Sequence, residues 1–243
     1  MNELHLFAGI GGGIYGGILC GHRCVCAVEI QNHHRSVLLQ RQRDGIFPWF
    51  PVWDDAETFR GRPWRGIADA ICAGFPCQPF SVEGKRNWDN DERNKWPSTR
   101  RIISEVMPKH VMLENVRGIK QFLPVVIRDL RQLGYTVERP AIISSGSAGA
   151  LHRRERIWVY AHANGSRRFW ERDTFDTPAW AWVQTWSEFE GLAKDVLRVC
   201  VPARNNNGIH DGIANRRERG NAIGNAQDPR VAALAWQILA GEE

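Results

Sequence analysis

The sequence contains no apolar run approaching the roughly 20 residues that cross a bilayer, so no membrane-spanning helix is expected. Between Met1 and Phe7 no basic stretch leads into an apolar one, which argues against a secretory signal. None of its six cysteines (Cys20, Cys24, Cys26, Cys72, Cys77, Cys200) forms a Cys-x-x-Cys pair, which removes the commonest redox and zinc spacing. Internal repeats and low-complexity tracts are also missing, so nothing points to a repeat array. Charge of one sign is only mildly in excess: Lys plus Arg is 32 against 27 for Asp plus Glu, a formal +5. That balance permits a polyanionic partner without demanding one.

What remains is an ordinary globular composition. Hydrophobic residues make up 43% and charged residues 24% of the 243, which excludes a disordered chain, a collagen-like fibre or a small disulfide scaffold. That length suits one large domain or a main domain with a small appendage. Eleven tryptophans are unusually many. Cys20, Cys24, Cys26 and Cys72 sit among apolar neighbours and read as small buried hydrophobes in a reducing cytoplasm. Cys77 does not.

Short apolar runs alternate with longer amphipathic ones over the first two-thirds. Strands are predicted at Leu4–Phe7, Cys24–Val28, Asp69–Cys72, Val111–Leu113, Tyr135–Ile143 and Ile157–Tyr160. Helices are predicted over Asn32–Asp44, from Pro97 to Val106, and over Val125–Leu133 closed by Gly134. This βαβα rhythm predicts a doubly wound, mostly parallel α/β sheet. From about residue 164 the periodicity fades, and residues 164–215 hold six Lys/Arg against seven acids, so they form no electrostatic arm. A last helix should start at Asp228-Pro229, cap then first position, with Val231, Leu234, Ala235 and Ile238 as its buried stripe.

Two loops carry chemistry. Gly9-Ile10-Gly11-Gly12-Gly13 lies between a strand and a helix, where a ligand can approach bare backbone, and Gly11, Gly13 and Gly16 satisfy G-x-G-x-x-G. Glu29 ends the next strand, placed to accept from ribose hydroxyls. The glycines equally describe a tight turn that binds nothing. Gly74-Phe75-Pro76-Cys77-Gln78-Pro79-Phe80-Ser81 follows a strand, on the ligand side of an open α/β sheet. Prolines restrict the backbone on both sides of the thiol, and Lys85, Arg86 and Arg93 bring cations that favour a thiolate nucleophile.

Leu6-Phe7-Ala8-Gly9-Ile10-Gly11-Gly12, the Pro-Cys-Gln block at Cys77 and Glu114-Asn115-Val116 resemble, in order, the signature blocks of cytosine carbon-5 DNA methyltransferases. His152-Arg153-Arg154-Glu155-Arg156 resembles the family's Gln-x-Arg-x-Arg block, and Gly224-Asn225-Ala226 its Gly-Asn-Ala block. The resemblance runs from residue 4 to about residue 239. It implies an S-adenosylmethionine-dependent methyltransferase fold, with residues 1–163 for catalysis and cofactor, 164–215 as a small target-recognition region and 216–243 returning to the catalytic domain, where the last helix packs against the first strand. Arg167, Arg168, Arg172, Arg198 and Arg204 are its candidates for DNA contact, while Trp170, Trp180, Trp182 and Trp186 read better as a miniature core.

The implied chemistry explains the residues. Cytosine carbon 5 is a poor nucleophile until a thiolate, here Cys77, adds to carbon 6 and makes the ring an enamine. Glu114 would hold ring nitrogen 3 and the exocyclic amine, Arg156 the carbonyl oxygen, and Arg154 would order the site. Phe7, Ala8, Gly9 and Gly11 would surround the methyl donor, with Glu29 on its ribose, Ile30 on its adenine, Asp55 on the adenine amine, and Trp96, Asn225 and Ala226 closing the pocket. The target base must leave the duplex to be reached. Residues 78–95, with Gln78, Ser81, Lys85, Arg86 and Arg93, resemble the loop that closes over it. The resemblance implies double-stranded DNA as substrate, a companion restriction endonuclease, a monomer and no metal. A tRNA cytosine methyltransferase and a non-catalytic DNA-binding subunit on the same scaffold are the alternatives. Three positions depart from the pattern: His5 replaces an Asp, Gly13 an aromatic residue and His152 a Gln, which predicts weaker cofactor binding.

Overall fold

The first strand, β1 (Asn2–Leu6), is buried on both faces from its second residue on, as a central strand of a two-sided sheet must be. The computed structural model describes residues 1–76, 94–149, 154–166 and 226–241. Around β1, β2 (Arg23–Val28), β3 (Val52–Trp53), β4 (Ala70–Ala73) and β5 (His110–Val116) lie parallel in the order β3-β2-β1-β4-β5. Beyond β5 the direction reverses. Strand β8 (Glu155–Ala163) runs antiparallel to β5, and its other edge takes β6 (Tyr135–Val137) and β7 (Ala141–Ser144).

The predicted α/β fold is thus present as a mostly parallel sheet with an antiparallel edge. The single run expected over Tyr135–Ile143 is two strands, whose register on β8 slips by one residue across Glu138-Arg139-Pro140. Proline has no N–H for the ladder, so the break falls where pairing is weakest.

Helices cover both faces. On one side α3 (Trp96–Val106) and α4 (Leu123–Gln132) pack Ile102, Ile103, Val106, Val126 and Leu130 onto Leu4, Leu6, Ile71, Val111, Leu113, Ile157 and Val159. On the other side lie α1 (Gly12–Leu19), α2 (Asn32–Arg43) and α5 (Pro229–Ala240). Gly134 takes the left-handed conformation (φ 89°) just past α4, the stop signal read from the sequence. Asp228 caps α5 by accepting from the Arg230 amide at 3.1 Å, with Pro229 in the first turn.

Two expectations about α5 change. It packs along α1 and the β7–β8 edge rather than against β1. Its buried stripe is Val231, Ala232, Ala235, Trp236 and Leu239, while Ile238 is 55% exposed. The helix sits in the angle between α1 and the sheet, so the buried face is turned toward its alanines. Cys20, Cys24, Cys26 and Cys72 are buried free thiols, and burial pushes Cys20 and Cys26 up to about 12, as inert core cysteines require. Among the described residues no helix is long and apolar enough to cross a membrane.

Candidate active site

The order β3-β2-β1-β4-β5 puts a topological switch between β1 and β4. The chain leaves β1 toward one side and β4 toward the other, so a crevice opens at their carboxyl ends. The glycine loop fills the β1 side. Phe7 is held at φ 56°, a left-handed conformation that a non-glycine residue adopts only when its surroundings impose it. Here Ala8 N–H donates to Val28 O at 3.1 Å and Gly9 N–H to Glu29 Oε2 at 2.7 Å. The other Glu29 oxygen accepts from Gln31 N–H at 2.8 Å, with His34 Nδ1 3.3 Å away. Burial pushes the Glu29 carboxyl up, but these donors outweigh it and the net shift is down. Glu29 is therefore a buried anion that ties the loop to β2, and Oε2 keeps a lone pair for a further donor.

The glycines divide by task. Gly9, at φ 55°, has nothing within 4 Å of the place a Cβ would occupy, and its backbone faces open space. Gly11 caps α1 at φ 89°, where a Cβ would strike the Phe47 ring at 2.7 Å. Gly12, Gly13, Gly16 and Gly17 form a bare face on α1. A Cβ there would lie 2.0 Å from Gln227 O, 2.3 Å from Gln227 Oε1, 2.5 Å from Ala232 Cβ and 2.0 Å from Glu3 Oε2 respectively. Gly13 and Gly16, which complete the G-x-G-x-x-G pattern, thus let the C-terminal segment approach α1.

Across the crevice, β5 ends in Glu114-Asn115-Val116. Asn115 Nδ2 donates to Phe75 O at 2.9 Å and so anchors the segment that leads out of β4 toward Cys77. Glu114 is 8% exposed, and Arg156 Nε of β8 lies 2.9 Å from its Oε1. Arg156 pairs with Val116 across the antiparallel ladder, so it shares a face with Glu114, two residues back. Burial raises the Glu114 pKa; the charge of Arg156, a hydrogen bond from Gln227 and the charge of Arg154 pull the other way without overcoming it. Arg154 and Arg156 act on one carboxyl, as alternation along an extended segment predicts.

Between the two sides lies a cleft lined by His5, Leu6, Phe7, Ala8, Gly9, Gly13, Cys72, Ala73, Gly74, Glu114, Ala226 and Gln227. Of the residues assigned to cofactor or catalysis from sequence, Phe7, Ala8, Gly9, Ala226 and Glu114 meet here. Ile30 is 61% exposed beside Glu29. Asp55 closes a turn by accepting from Glu57 N–H at 2.9 Å. Trp96 does not line the cleft: it is buried in the core, its ring tilted at 45° to that of Phe75, and it donates its indole N–H to Asp129 Oδ2 at 2.9 Å. Cys77, Gln78, Ser81, Lys85, Arg86, Arg93, His152, Arg153, Asn225 and almost all of segment 164–215 lie outside the described residues.

Two features escaped the sequence reading. His5 belongs to a buried network in which Glu3 Oε2 meets His5 Nε2 at 2.9 Å and Glu3 Oε1 meets His22 Nδ1 at 2.8 Å. Cys72 brings its sulfur to the same cluster, with Glu3, His5 and Cys72 donor atoms all within 4.8 Å. Gln227 enters from just before α5 and reaches Glu114. The signal for it was indirect: glycine at position 13, where an aromatic side chain would have filled that space.

The chain's first 219 residues match the model of the family described as C-5 cytosine-specific DNA methylase. Among curated proteins it is 34% identical to the type II methyltransferase M.HpaII of Haemophilus parainfluenzae over 165 residues, 64% of this chain and 44% of that protein. It is 29% identical to M.Eco47II of Escherichia coli over 201 residues, 80% and 45% of the respective lengths. The chain spans about half the length of the curated relatives it matches. In fold it resembles the Dnmt2 methyltransferase of S. pombe, with a TM-score of 0.57 at 22% identity over 71% of this chain and 54% of the other. The chain belongs to the C-5 cytosine-specific DNA methylase family.

Proposed function

We propose that this chain methylates carbon 5 of cytosine in double-stranded DNA, using S-adenosylmethionine, with Cys77 as nucleophile. The observation that carries the reading is the Glu114–Arg156 pair at 2.9 Å, buried at the edge of a cleft whose opposite wall is the glycine loop clamped by Glu29. A carboxyl and a guanidinium side by side match the acceptor-rich edge of a cytosine: the carboxyl faces nitrogen 3 and the amine, the guanidinium the carbonyl oxygen.

The residues present fit the methyl donor. Glu29 retains acceptor capacity for vicinal hydroxyls, Ile30 offers an exposed apolar surface, and Gly9 presents bare backbone. When bound, the donor supplies an electrophilic methyl group. Cys77 adds as thiolate to carbon 6, and Glu114, whose pKa burial raises, shares a proton with nitrogen 3 as electron density builds there. Arg156 holds the carbonyl oxygen. After transfer a base removes the carbon-5 proton and the carbon–sulfur bond breaks, returning the thiolate. The target base is flipped out of the duplex, since its carbon is unreachable in the stack. With this reading go Arg154 as an ordering residue, Gly11, Asp55 and Asn225 around the donor and Gln78, Ser81, Lys85, Arg86 and Arg93 on DNA. It also implies a role in restriction–modification beside a partner endonuclease and a cytoplasmic place of work.

The test is incubation with 5-fluorocytosine duplex DNA and S-adenosylmethionine, because fluorine blocks the final elimination. A covalent protein–DNA complex should accumulate and vanish in Cys77→Ser. Trapping on tRNA but not on duplex DNA would move the substrate to RNA, and no trapping on either would leave a non-catalytic scaffold.

A further inference from the structure

We infer that Gln227 is a positioning residue for Glu114, and that glycine at position 13 is what admits it. The inference rests on the proposed role of Glu114 in holding the base. Gln227 Nε2 donates to Glu114 Oε2 at 3.4 Å, while Arg156 takes the other oxygen. The amide is wedged between two glycines. Its Nε2 lies 3.0 Å from the place of a Gly74 Cβ, and its Oε1 lies 2.3 Å from the place of a Gly13 Cβ. A side chain at either glycine would displace it.

The direction of the amide follows from its neighbour. An ionised carboxylate only accepts, so the amide must present its N–H to Glu114. Once Glu114 is protonated the same amide, rotated, accepts from the acid, which a guanidinium cannot do. Gln227 can therefore hold Glu114 in both protonation states of the proposed cycle. Docking of α5 does not require this side chain: Gly12 and Gly16 receive Gln227 O and Ala232 Cβ, and Asp228 caps the helix. Arg154, just before β8, and Arg156 on it act on Glu114, and His5 and Cys72 line the same cleft from β1 and β4. Asp228, beside Gln227, acts on Arg154.

The test is a titration of the Glu114 carboxyl by carbon-13 NMR on the full chain, together with the pH profile of methyl transfer. In Gln227→Leu the lost donor raises the pKa of Glu114, so the limb on which activity falls with rising pH moves up. The value of kcat falls about tenfold, the worth of one hydrogen bond to a charged group. Gly13→Ala moves the titration the same way by pushing the amide aside. In a Gln227→Ala background the added methyl has room and changes nothing further. An unmoved Glu114 titration in Gln227→Leu, or full additivity of Gly13→Ala with Gln227→Ala, would overturn the inference. Absence of methyl transfer by the wild-type chain would refute the proposed function instead, and the titration would still decide the role of Gln227.

Discussion

The two faces of the sheet are built from the same strands and are chemically unlike. Toward α3 and α4, β1, β4, β5 and β8 show Leu4, Leu6, Ile71, Val111, Leu113, Ile157 and Val159. Toward α1 and α5, the alternate residues include Glu3, His5, Cys72, His110, Glu114, Arg156 and Tyr160 beside the apolar Ala70, Met112 and Trp158. On that second face polar groups pair with one another, as in His110 Nδ1 with the Tyr160 hydroxyl at 2.9 Å, where burial drives His110 down to about 4. The covering helices differ to match. The α3–α4 layer is bulky and apolar, whereas α1 offers glycines and α5 alanines, so backbone comes close to the polar groups. One face stores stability through apolar burial; the other places chemistry at the open end of β1, β4 and β5.

Neighbouring residues of β5 give the sharpest way to break that comparison. Glu114→Gln keeps size and packing, so thermal stability should change little while methyl transfer falls about 10²- to 10⁴-fold, the usual worth of a proton-sharing group. Leu113→Ala, one residue away on the other face and 2% exposed, should do the reverse. It should cost about 2–5 kcal/mol in denaturant unfolding and leave kcat of the folded fraction near wild type. If Leu113→Ala lowers kcat as much as Glu114→Gln, the division of labour between faces is wrong.

Much of this was legible from residue order alone. Runs such as Cys24–Val28 and Ala70–Ala73 are apolar throughout, as parallel strands buried on both faces are, and Asp228-Pro229 and Gly134 mark helix ends by local chemistry. The direction of β8 was not legible, because Ile157-Trp158-Val159-Tyr160 is equally apolar whether its neighbour runs with it or against it. Nor was the turn of the α5 stripe away from Ile238, which depends on a glycine face over 200 residues earlier in the chain. The Glu114 and Arg156 assignments came from sequence blocks, and the structure brings those two together. Trp96, assigned to the cofactor pocket from sequence, is buried in the core with its indole N–H on Asp129.

The Glu3 network sharpens the comparison from the side of stability. Burial alone would raise this carboxyl, but hydrogen bonds from His22 and His5 and their charge bring it from 4.5 to about 2. A carboxyl depressed on folding contributes stability above its unfolded value, and that contribution is lost as pH falls through 4.5 toward 2. At roughly 1.4 kcal/mol per tenfold change in proton affinity, Glu3 is worth about 3 kcal/mol over that window. Other depressed carboxyls, Glu29 and Asp69 among them, soften the protein in the same direction, so the informative quantity is a difference. Denaturant midpoints of wild type and Glu3→Gln, followed from pH 6 to 3, should draw together below about pH 4.5, where the unfolded acid takes up a proton that the folded one still resists. A constant gap across that range would mean that Glu3 titrates no differently folded than unfolded, and that the polar face is held by shape rather than by charge.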